Sequence, residues 1–237
     1  GSVPTPEDPV YTGPLTLTST TVLRVAGFEA GKLRSNVLTA SYVINENHTL
    51  PVLSLAADPA ALFGANGIYN QVQPFDEEIT CNLSLFESDR GFSIDGGLEM
   101  MATNTAYPDK RSMQVNFRGR YGSSVLGYPV FGQDVPPVFD ALCLQANSEQ
   151  NLTLFRDELF SQLCQEMTDA VPTQHSKFCV LYVNGVYHGI YSLKEDIGQM
   201  LYGQQAAVAA ADVQIEEEPS QWNGDLQLLA QYCQEQD

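Results

Sequence analysis

The sequence predicts an α+β protein: a short β-sandwich-like segment followed by a mixed α/β region. Three observations carry that expectation. Residues 10–47 are β-rich runs broken by turn residues. Phe155, Leu159, Leu163 and Met167 recur at i, i+4, i+8 and i+12, with Phe160 and Cys164 widening the stripe, which is the spacing of one helix face over residues 153–168. Asn184-Gly185 separates the β-rich runs FCVLYV and VYHGIY and is a preferred pair for a two-residue type I′ hairpin.

The elements follow in order. Residues 1–9 read as a tag remnant, Gly1-Ser2, and an extended Pro-containing linker. Strands are expected at residues 15–18, 21–28 and 36–44, with Glu29-Ala30-Gly31-Lys32 as a turn. About forty residues rarely hold a core of their own, so residues 10–47 are expected to be a partial β-sandwich module. A second region, 50–237, opens with a buried strand, then Asp58 as N-cap, Pro59 at the first helical position and Gly64 as the stop. Residues 82–86 and 96–101 read as further strands. Residues 108–122, PDKRSMQVNFRGRYG, come next, then the loop-like GYPVFGQDVPP and an apolar strand at 139–144.

Beyond the helix, the two-residue hairpin pairs Val183 with Val186, Tyr182 with Tyr187, Leu181 with His188 and Phe178 with Tyr191. Phe178, Val180, Tyr182, Tyr187 and Tyr191 then share one face. From residue 203 the pattern reads as a loop with a solvated acidic run at 216–218, and a final helix is expected over 225–234. That last helix ends without a closing element, so the chain is expected to stop inside a larger protein.

The charge is lopsided: 11 Lys plus Arg against 29 Asp plus Glu, a formal net charge of −18. This argues against nucleic acid as a partner, because a phosphate backbone calls for a basic footprint. No run of eighteen apolar residues occurs, so no membrane span is expected. Cys81, Cys143, Cys164, Cys179 and Cys233 are odd in number and form no CxxC, so buried free thiols are the reading and no metal site is assigned. Three N-x-S/T sequons start at Asn47, Asn82 and Asn151 and matter only if the source glycosylates secreted proteins.

Against that anionic background, Lys110, Arg111, Arg118 and Arg120 crowd together. Read as a strand, the segment buries Met113, Val115 and Phe117. It turns Lys110, Ser112, Gln114, Asn116, Arg118 and Arg120 to the other face. A cationic face on an anionic protein suggests a site for phosphate or carboxylate, although a solvated strand surface has the same pattern. Arg111 falls on the wrong side of the alternation and reads as structural. Lys194, Glu195 and Asp196 end a strand. His188 reads as a packed histidine, His48 and His175 as loop residues, and Arg156, Asp157 and Glu158 as the polar side of the helix.

Five ordered stretches resemble the CotH kinase family: LPVLSLAADPAALFGANGIY, GLEMMATNTAYPDKRSMQVNFRGRYG, LGYPVFGQ, FDALCLQANSEQNLTLFRDEL and VLYVNGVYHGIYSLKEDIG. They cover roughly residues 50–202. Residues 10–47 are similar to the second half of a chitobiase/β-hexosaminidase C-terminal-type module. The resemblance implies the N-terminal half of an atypical protein kinase, which binds ATP with a divalent metal and phosphorylates Ser or Thr of secreted or coat proteins. It implies a protein substrate and a secreted or cell-surface bacterial setting, with a possible glycan context. Neither a G-x-G-x-x-G nor a Walker motif occurs, so side chains would have to hold phosphate.

By the same resemblance, Lys110, Arg118 and Glu195 match nucleotide or phosphate positions, with Glu195 orienting the cation; Arg120 and Lys194 are secondary candidates. No catalytic residue or metal ligand is assigned in this chain. The family's catalytic and metal-binding aspartates lie further on, and Trp222 does not match their context. Gln145 stands where the family commonly has arginine. The chain is therefore expected to be inactive alone. The alternative is a non-catalytic surface binding or architectural module.

Overall fold

The computed structural model describes residues 1–70, 77–101, 110–147, 155–167 and 173–215. Strands β1 (Thr21–Val25) and β2 (Leu38–Tyr42) pair antiparallel as a ribbon. The expected turn lies between them: the Lys32 N–H donates to the Glu29 carbonyl at 3.0 Å, with Gly31 at φ +75°. Residues 15–18 were expected as a strand but adopt no strand structure. A β-prone run becomes a strand only where a neighbour takes its backbone hydrogen bonds.

Strand β3 (Val52–Ala57) is buried at all six positions. The short helix α1 (Pro59–Phe63) follows with the expected caps. Asp58 Oδ1 accepts from the N–H groups of Ala60 at 2.8 Å and Ala61 at 3.3 Å, and the Gly64 N–H closes on the Ala60 carbonyl at 3.0 Å.

Next come β4 (Ile79–Phe86), β5 (Gly91–Met100) and β6 (Met113–Asn116). The short β7 (Leu126–Gly127) and β8 (Val138–Phe139) pair with each other inside the segment expected as loop. They lead to β9 (Ala141–Gln145), α2 (Arg156–Met167), β10 (Ser176–Val183) and β11 (Val186–Glu195).

Seven strands close into a barrel in the order β10-β11-β9-β6-β5-β4-β3. All neighbours are antiparallel except β3 and β10, which are parallel. An odd number of alternating strands cannot close without one parallel pair. Leu53, Leu55, Leu83, Leu85, Leu98, Met113, Val115, Leu142, Leu144, Leu181 and Leu193 fill the core, one face of each strand as period-two alternation requires. On the outside, Ser54 of β3 donates to Ser41 Oγ of the ribbon at 2.8 Å. The α+β expectation holds only in its β part, because the described residues are mostly β and their helices are peripheral to the closed sheet.

The hairpin forms with Asn184 and Gly185 at φ +52° and +81°, the left-handed pair that a type I′ turn requires. Its register departs from the expectation two residues later. Tyr182 pairs with Tyr187, but Leu181 pairs with Gly189, leaving His188 as an inserted residue. Gly189 takes φ +105° at this bulge. Every later residue of β11 is displaced by one, so Tyr191 faces Cys179 and enters the core, and Phe178 faces Ser192. Tyr191 therefore leaves the face it was expected to share with Tyr182 and Tyr187.

Helix α2 is present, but its apolar stripe does not face the barrel. Phe155, Leu159, Phe160, Leu163 and Met167 are exposed, while Glu158 is its buried residue. The reason is an ion pair that anchors the opposite face, described below.

Gly1–Asp196 is one compact unit and Ile197–Asp237 is another. In the second, α3 (Gln199–Ala206) extends into the stretch expected as loop. It ends with Ala207 at φ +55° and the Val208 N–H on the Gly203 carbonyl at 2.9 Å. The acidic run 216–218, Trp222, Cys233 and the expected helix over 225–234 lie outside the described residues, as do Pro108, Asp109 and Asn151.

Candidate functional site

Strand β6 keeps Met113, Val115 and Phe117 in the core and turns Gln114 and Asn116 outward. Just past it, Arg118 and Arg120 converge on one carboxylate, that of Glu78 immediately before β4. Arg118 Nε donates to Glu78 Oε2 at 3.0 Å, Asn116 Nδ2 to the same oxygen at 3.2 Å, and Tyr121 Oη to Oε1 at 2.6 Å. Arg120 adds a second guanidinium contact to Oε1. Burial pushes the Glu78 carboxyl up, but Tyr121, Arg120 and Arg118 together hold it below the usual carboxylate range.

Lys110 is elsewhere. Its Nζ donates to the Ile190 carbonyl at 2.7 Å and stands 5.0 Å from the centre of the Tyr191 ring. Burial lowers its pKa. Arg111 is buried against Tyr69, where its backbone N–H meets the Tyr69 hydroxyl at 3.1 Å and its guanidinium meets the carbonyl. The single cationic face read from the alternation is thus split. Only β6 is a strand, and the chain leaves the alternation on both sides of it.

Glu195 was expected to orient Lys110 or Arg118. The structure instead gives it to His175: Glu195 Oε2 accepts from the His175 backbone N–H at 2.8 Å and lies 2.8 Å from His175 Nδ1. This carboxylate raises the imidazole pKa. His175 is therefore not an isolated loop residue. His188 is packed as expected, with Nε2 3.1 Å from the Tyr69 hydroxyl.

Lys194 has the most enclosed arrangement. It projects from the outer face of β11 and meets Glu158 of α2, Nζ to Oε1 at 3.0 Å, with both side chains less than a tenth exposed. Asn147, at φ +56° after β9, donates to the same carboxylate oxygen at 3.2 Å. Burial opposes the Glu158 charge, yet Ser192 and Lys194 keep its pKa below the usual range. Glu158 is thus no solvated helix residue. Across the register from Lys194 is Cys143, whose thiol lies 3.8 Å from Asp196 Oδ1 and 3.7 Å from Gln114 Oε1. Burial raises that thiol's pKa, so it is not a nucleophile. Gln145 pairs with Ser192 on the adjoining rung.

A buried lysine held by a helix glutamate is a fixed cation, of the kind that phosphoryl-transfer proteins place on phosphate oxygens. The donor set for a divalent metal is another matter. Hard cations take several carboxylate or carbonyl oxygens. Among the described residues no three His, Cys, Asp or Glu side chains gather closely enough to hold an ion, so these residues do not fit a resident metal.

Glu78, Glu158 and His175 were not picked out as site residues from sequence. No one-dimensional signal marks them, because each gains its importance from a partner distant in the chain.

Residues 92–223, more than half of the chain, match the family model described as CotH kinase protein, and the chain belongs to that family. No curated protein matches it.

Proposed function

We propose that this chain is the nucleotide-contacting part of a CotH-type, ATP-dependent protein kinase, with Lys194 as the phosphate-contacting cation and Glu158 as the carboxylate that positions it. The observation that carries this reading is the enclosed Lys194–Glu158 pair, in which a strand ammonium is held by a helix carboxylate. Arg118 and Arg120, preorganised on Glu78 with more than half of each side chain exposed, are the second source of positive charge for the phosphates. Lys110 and Glu195 act on the fold around the site, one at the hairpin bulge and one on His175. The phosphoacceptor is Ser or Thr of a secreted or surface protein.

Because Lys194 is only 4% exposed, phosphate contact requires α2 to give way. Titration with magnesium-ATP tests the reading. We expect saturable binding that weakens about tenfold or more in Lys194→Met, a loss of about 1.4 kcal/mol or more, and more modestly in Arg118→Ala. Wild-type-like affinity in a folded Lys194→Met protein would sink it.

Gln145 favours a second reading, a non-catalytic surface module. It occupies the β9 position where arginine is common in the family, and it lines the same face as Ser192 and Lys194. Under this reading magnesium-ATP neither binds nor transfers phosphate.

A further inference from the structure

A cavity of about 590 Å³ lies where the β1–β2 ribbon meets the barrel, all within the first compact unit. That is within the range of small-ligand sites, roughly 300–1,000 Å³. Its walls include Arg24 of β1, Arg34 of the ribbon turn and Arg120 after β6. Asp95 is the sole acidic residue lining it, and Asn82 Nδ2 already donates to Asp95 at 2.8 Å. Three of the chain's 11 basic residues thus converge on one cavity of a protein with net charge −18.

Arg24 is the informative member. Its Nη1 donates to the Gly1 carbonyl at 2.6 Å. Its Nε is buried without a hydrogen-bond partner. Buried guanidinium N–H groups are normally satisfied, because an unmet donor out of water carries the full desolvation penalty. Burial lowers the Arg24 pKa; Asp58 and Asp95 work the other way, and neighbouring Arg34 adds to the lowering. Like charges held together without a carboxylate between them are a standing repulsion. A ligand oxyanion would relieve it and could satisfy the vacant donor at the same time. Thr39 and Thr80 supply neutral hydroxyls on the same wall.

We infer that this cavity binds a small organic oxyanion, a phosphate monoester or a sugar carboxylate, through Arg24 and Arg34 with Arg120 at its rim. The site does not depend on Lys194, so the nucleotide reading can fail without it.

Isothermal titration of the full chain with glucose 6-phosphate and, separately, with glucuronate tests the inference and separates the two sources. We expect saturable, salt-sensitive binding of at least one probe. It should weaken about tenfold or more in Arg24→Gln and Arg34→Gln and be unchanged in Lys194→Met. Binding of the phosphate alone assigns a phosphate monoester; binding of the glucuronate alone assigns a sugar carboxylate. Arg34 is exposed, so Arg34→Gln keeps the test valid should Arg24→Gln unfold. No saturable binding of either probe, or undiminished binding in a folded Arg34→Gln protein, would overturn it.

Discussion

Removing one partner of the Lys194–Glu158 pair should destabilise the protein far more than removing both. Lys194→Met leaves a carboxylate out of water, and Glu158→Leu leaves an ammonium there, since both side chains are less than a tenth exposed. Breaking a buried pair in this way costs about 3–5 kcal/mol. For a chain of this length each kcal/mol lowers Tm by about 2–4 °C, so each single change should lower it by roughly 6–20 °C. Lys194→Met should fall at the lower end, because Asn147 still donates to Glu158 Oε1 at 3.2 Å. The double variant removes both charges and should recover most of the loss, since apolar replacement of a buried pair is often neutral or better. Circular dichroism melts of the four proteins complete the cycle. Single variants that melt within about 3 °C of wild type, or a double variant whose loss is the sum of the singles, would refute the buried-pair account.

Three further expectations are independent of it. Glu195 raises the His175 pKa, so its stabilisation is complete below the unfolded value of about 6.5 and is lost as pH rises through the folded value. The stability gap between wild type and His175→Asn should narrow from pH 5.5 upward in urea titrations, about 2 pH units being enough to see it, and a pH-independent gap contradicts the ion pair. Gly189→Ala forces a side chain into φ +105° at the bulge and should cost about 1–3 kcal/mol by urea denaturation; an unchanged midpoint would mean that no left-handed residue is needed there. Leu163→Lys, on the exposed stripe of α2, should shift stability by less than about 0.5 kcal/mol, and a loss above about 2 kcal/mol would show that the stripe is buried.

That exposed stripe makes the case about what a sequence can carry. Residues 155–167 are helical because of their spacing, and the spacing is local. Which face packs was settled by Glu158 finding Lys194, 36 positions along the chain, an interaction that no periodicity encodes. The same division runs through the candidate site. Alternation correctly placed Met113, Val115 and Phe117 inside, but the partner of Arg118 proved to be Glu78, 40 residues away, and Glu195 went to His175.

By itself the sequence determined those features whose physics is complete within a few residues. These are the Asp58 cap, the left-handed Asn184-Gly185 turn, the buried run of β3, and the ordered stretches that carry the family. Tertiary structure alone decided the closure of seven strands, the one-residue slip at His188 that sends Tyr191 inward, and which charges meet. Those outcomes depend on the register between strands distant in sequence, where a shift of one residue exchanges the inside of the sheet for its outside.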